Sequence, residues 1–194
     1  MEELTPPPPT DSQYYLKTHP VSKDRLSLYA PLYLRLRGDG INSVVLTPAS
    51  PKFLRWHHEP DQPIAEGSSS TDTGKQIAIS WKNPDRSFGL VIPEPRKNYA
   101  WEDVQIVEGE ADAGFAWEKI DVEGVGTEVL ARRESDEEGA VPTQGEQKGY
   151  KGWMACNWVH GHPQLFWANG TLDKELPQFC EPVLVVREWL IPRE

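Results

Sequence analysis

Little in this chain of 194 residues invites covalent or metal chemistry. It has only two cysteines, Cys156 and Cys180. Two thiols fall short of the closed four-ligand set of a structural zinc. Their spacing neither requires nor forbids a bridge, and in a reducing compartment two free thiols are the default. Positive charge is scarce as well. Lys and Arg number 20 against 30 Asp and Glu, a net charge of −10, and the pI is near 5.0. Such a surface repels phosphate backbones and anionic bilayers, so neither nucleic acid nor membrane is an expected partner. No apolar run approaches the ~20 residues of a membrane helix. The opening Met1-Glu2-Glu3-Leu4-Thr5 and the four prolines after it do not form a secretory leader. A cytoplasmic location is therefore expected. Familiar catalytic signatures are missing: there is no G-x-S-x-G elbow, no phosphate-binding loop and no H-E-x-x-H. Val122-Glu123-Gly124-Val125-Gly126 lacks the dinucleotide spacing. No cofactor and no metal are expected.

Long helical patterns are also absent. Eighteen prolines and fifteen glycines leave little room for them. What is present is a series of short apolar runs rich in β-branched and aromatic residues. They are Tyr33–Arg37, Ser43–Leu46, Gln76–Trp81, Phe88–Ile92, Asp103–Val107, Gly114–Trp117, Trp153–Trp158, Gln164–Trp167 and Val183–Val186. Turn signals such as Arg37-Gly38-Asp39-Gly40, Asn83-Pro84-Asp85 and Asn169-Gly170 separate them. Asp103–Val107 alternates apolar with polar, the period of a half-buried strand. The pattern predicts an all-β single compact domain, β-trefoil-like or a closed barrel, with a two-sheet β-sandwich as the alternative. Residues 1–13 read as a disordered proline-rich arm and 14–194 as the domain, with flexible loops near 59–75 and 133–149. The aromatic pairs of Phe53–Trp56, Phe115–Trp117 and Leu165–Trp167 each close a strand-like stretch, a faint threefold repeat.

The densest segment is Gly152-Trp153-Met154-Ala155-Cys156-Asn157-Trp158-Val159-His160-Gly161-His162-Pro163-Gln164-Leu165-Phe166-Trp167. It resembles the G-W-L-x-C-D-W-W-H-G-x-P-Q-L-F-W signature of a family of uncharacterised fungal proteins. Cys180 and Val183–Val186 match the family's second cysteine and the strand after it, and Asn98–Val104, Gly114-Phe115 and Val44–Thr47 resemble its earlier parts. Asn157 stands where an Asp is usual and Val159 where a second Trp is usual. Relatives in that family look secreted with their two cysteines paired; this chain shows no such leader, so the pairing of Cys156 and Cys180 stays open at the level of sequence. The resemblance implies no activity.

Candidate site residues are few. His160 and His162 flank Gly161 before a proline. They suit general acid–base work, since imidazole titrates near pH ~6.5; turn-capping is the bland alternative. His57 and His58 are adjacent and would face opposite ways in a strand. Arg35 and Arg37 fall on one strand face, where inward projection would polarise a carbonyl or hold a carboxylate. Eight tryptophans are many for this length, and most should be core. A minority, with Trp56, Trp117, Trp158, Trp167 and Tyr99 as candidates, would line a ligand site beside Arg37. His160, His162 and Arg35 are the candidate catalytic groups. Asn169-Gly170-Thr171 is a glycosylation sequon that also reads as a turn.

Two functions follow as expectations. The first is binding of a small apolar molecule inside a β fold, extending to cofactor-independent cyclisation or isomerisation in fungal secondary metabolism by an orienting pocket. The second is a non-catalytic, lectin-like module for a glycan or other ligand. A proline-rich interaction arm is a third, structural reading.

Overall fold

A computed structural model of the chain describes residues 13–22, 27–36, 43–48, 65–66, 80–83, 86–94, 99–109, 112, 114–122, 125–132, 150–158, 162–170 and 176–189. Every regular element among them is a strand: β1 (Gln13–Pro20), β2 (Tyr33–Leu36), β3 (Val44–Thr47), β4 (Ala65–Glu66), β5 (Ser80–Asn83), β6 (Arg86–Val91), β7 (Trp101–Asp103), β8 (Gln105–Glu108), β9 (Phe115–Val122), β10 (Val125–Arg132), β11 (Lys151–Cys156), β12 (Gln164–Asn169) and β13 (Cys180–Trp189). The path β1-β2-β3-β12-β11-β13 closes on itself because β13 also pairs with β1, from Tyr14↔Trp189 to Pro20↔Val183. The fold is thus a closed six-stranded antiparallel barrel, not two separate sheets. Strands β4, β5, β6 and β8 extend it from β1, and β10 and β9 extend it from β13. Closure leaves the six ring strands without the free edge that an open sheet would present.

The alternation of each strand sorts its side chains into two environments. From β11, Trp153 and Ala155 enter the main core while Met154 and Cys156 join a second cluster outside it. From β12, Leu165 and Trp167 go inward and Phe166 and Ala168 outward. From β13, Val183 and Val185 go inward, whereas Leu184 and Val186 pack with Val122 and Val129. The interior is therefore rich in rings. Phe115 stacks on Trp153 with centroids 6.0 Å apart, and Trp153 meets Trp167 edge-on at 4.9 Å. The Trp153 indole N–H donates to the Leu130 carbonyl.

Several elements differ from the sequence reading. The Asp103–Val107 run is two strands, broken at Val104. Its N–H donates to Leu165 O and its carbonyl accepts from Val44 N, so the chain changes partner there. Phe115–Trp117 opens β9 and Leu165–Trp167 lies in mid-β12, so neither closes a strand; Phe53–Trp56 is outside the described residues. Gln13 belongs to β1, not to the arm. Strand β4 falls within the expected loop 59–75, while 133–149 is outside the described residues. Strand β10, which pairs residue for residue with β9 from Val125↔Val122 to Arg132↔Phe115, was not anticipated. Among the described residues no helix is long and apolar enough to cross a membrane.

Candidate ligand-binding surface

The outward face of the β11–β12 hairpin is apolar, and it is roofed by Tyr150, Leu176, Ala100 and Trp101. The chain enters this roof by a glycine. Gly152 has φ 149°, a region essentially closed to residues with a Cβ. The Tyr150 hydroxyl donates to the Trp153 carbonyl at 2.7 Å, and burial pushes its ionisation far above the ordinary tyrosine range. Cys156 lies directly opposite Cys180 in the ladder, and the two are bridged. Free thiols, the default for a reducing compartment, are therefore not what this chain holds.

Immediately past the bridge the chain leaves the strand and sets an indole on the surface. Trp158 is 48% exposed. Its ring lies 5.4 Å from that of Trp101 and 6.2 Å from Phe166, which is buried beneath. Trp101 is fixed by β7, paired to β12 at Ala168↔Trp101. Tyr99, 54% exposed, precedes it, and the Asn169 side-chain amide donates to the Tyr99 carbonyl at 2.8 Å. On the other side, Asn157 N donates to Phe179 O at 3.0 Å. Phe179 sits in the turn before β13 and is 64% exposed. The result is an aromatic platform of two indoles tilted 50° to one another, flanked by the backbone bonds of Asn157 N to Phe179 O on one side and Asn169 N to Ala100 O, at 3.0 Å, on the other.

The sequence-derived candidates scatter around this geometry. Trp158 forms the platform with Trp101, and Tyr99 is exposed two residues before Trp101. Trp117 and Trp167 do not: both are fully enclosed, packed in the main core with Phe115 and Trp153. The Trp167 indole N–H is buried and meets no acceptor among the described residues. His162 is exposed in the β11–β12 connection, where the next carbonyl, of Pro163, accepts from Leu46 N. Arg35 is in β2, opposite Val45. His160, Arg37 and Trp56 lie outside the described residues.

The inward cation is one that sequence reasoning missed. The Arg187 guanidinium lies over the Trp117 ring at 4.7 Å. Its Nε and Nη2 both donate to Glu128 Oε2, at 3.0 and 2.5 Å. A second missed group is Glu102, which is 2% exposed and sits opposite Trp167 in the β7–β12 ladder. Position was the available signal, since Arg187 shares parity with Val183 and Val185, and Glu102 with Val104.

A family model described as a domain of unknown function, DUF7907, matches residues 11–189. No curated protein matches the chain, and no solved structure does.

Proposed function

We propose that this chain, which belongs to the DUF7907 family, is a non-catalytic binding module that stacks a sugar ring of a glycan on the Trp101–Trp158 platform. One observation carries the reading. Of the tryptophans whose burial is described, Trp117, Trp153 and Trp167 are enclosed, yet Trp158 keeps 48% of its surface in water while braced by a second indole. An exposed indole braced by a second one offers an apolar face on which a sugar ring can stack. A braced ring also loses little freedom on binding, which favours affinity.

The alternative of cofactor-free cyclisation inside the barrel has less support. The rings that would line such a pocket fill the interior instead, and the interior cation Arg187 is already held by Glu128. The cystine suits an oxidising compartment better than the cytoplasm. The test is calorimetric titration of the intact protein with neutral oligosaccharides, beside Trp158→Ala. The reading expects saturable binding that weakens at least about thirty-fold in the variant, the loss of one central aromatic anchor. Unchanged affinity in a folded Trp158→Ala protein would remove it.

A further inference from the structure

Phe179 and Leu28 are exposed apolar side chains that the platform alone does not explain. Leu28 is 81% exposed and Phe179 64%, and the segments that carry them are tied together. Ser27 Oγ donates to Glu181 Oε1, and Tyr29 N donates to the same oxygen at 3.1 Å. The Tyr29 hydroxyl donates to Phe179 O at 3.2 Å. That carbonyl also accepts from Asn157 N, next to Trp158. Tyr99, Trp158, Phe179 and Leu28 are the large apolar side chains exposed among the described residues. They lie on neighbouring segments: Tyr99 just before β7, whose Trp101 meets Trp158 past the end of β11, and Phe179 in the turn before β13, whose carbonyl ties it to Asn157 and to the loop before β2 that holds Leu28. A scattered set would need no explanation, but a set gathered as a row of segments bonded to one another does.

We infer that the row binds a linear glycan chain, several rings long, of neutral pyranoses whose substituents are all equatorial. This rests on the sugar-binding reading above and extends it. Such rings show flat faces of axial C–H bonds, and a chain of them presents those faces in succession, so an aromatic row can engage more than one. The charge of the protein selects against the anionic alternatives. A net charge of −10 repels uronate and sulfated chains, and Glu181 lies beside the row. Asn157 and Gln178 are exposed along it and offer amides to ring hydroxyls.

The experiment is a chain-length series on the intact, oxidised protein by calorimetry. The ligands are cello- and chito-oligosaccharides from one to six rings, with oligogalacturonate as the anionic control. Affinity is expected to rise by about tenfold or more from one ring to six, with no binding of oligogalacturonate. Phe179→Ala and Leu28→Ser, both at exposed positions, should remove the gain with length and leave the single-ring affinity intact. Equal affinity for one ring and six, or a gain that persists in both variants, would overturn the extended row while leaving the sugar platform standing. Tighter binding of oligogalacturonate would also overturn it. Absence of binding by every sugar would instead defeat the platform reading itself.

Discussion

Gly152 shows how much a single residue can settle. Its φ of 149° lets the chain enter β11 so that Trp153 turns inward while Met154 and Cys156 face the outer cluster. An alanine there would meet backbone strain, so Gly152→Ala should lower stability by about 1–3 kcal/mol, read as a shift of the urea midpoint. A second residue-scale prediction concerns the outer face of β1, β2 and β13. Glu188 pairs with Lys17 and accepts from the Tyr33 hydroxyl at 2.9 Å. The Lys17 hydrogen bond holds the Glu188 carboxyl below its ordinary 4.5. Burial, then the hydrogen bond and charge of Glu188, push Tyr33 from 10.0 up to about 12. Tyr33 therefore contributes stability that is whole below pH 10 and is lost as pH rises toward about 12. Glu188 contributes stability that is whole above pH 4.5 and is lost as pH falls through its lowered value. In an ultraviolet phenolate titration, Tyr33→Phe should remove a late-ionising tyrosine and Glu188→Gln should bring that tyrosine earlier. A titration in which every partly exposed tyrosine ionises near 10 in all three proteins would contradict this.

At the scale of elements, the bridge between β11 and β13 joins positions 24 residues apart. Loop-closure entropy gives such a link about 3 kcal/mol. The Cys156→Ala/Cys180→Ala protein should accordingly melt several degrees lower, roughly 6–12 °C for a domain of this size. Alkylation of the unfolded, unreduced protein should find no free thiol; two reactive thiols would contradict the cystine. Runs bounded by clear turns were legible as strands, because Val183–Val186 and Gln164–Trp167 combine β-branched or aromatic residues with turn residues on both sides. Two kinds of element were not. Strand β10 carries Gly126, Thr127 and Glu128 in an exposed or half-buried stretch, so its composition resembles a loop until β9 supplies its ladder. The break at Val104 has no local cause either; it arises because one backbone position bonds to β12 on one side and β3 on the other.

For the whole molecule, the decisive fact is that closure through β1 and β13 assigns an inside. Composition announced many tryptophans but could not divide them, because inward and outward parity depends on which strands meet. Trp117 and Trp167 became core through that pairing. Trp158 escaped it by lying past the end of β11, just beyond the cystine. Arg187 was hidden for the same reason: only the β13-β10-β9 ladder brings it over Trp117 and against Glu128. The account's central claim is that the interior serves stability and the outer aromatic row serves recognition. The most direct test is a ¹⁵N–¹H spectrum of the tryptophan indoles during titration with chitohexaose. The Trp158 and Trp101 signals should shift progressively while those of Trp117, Trp153 and Trp167 stay still. Shifts confined to the three buried indoles, with Trp158 unmoved, would contradict it.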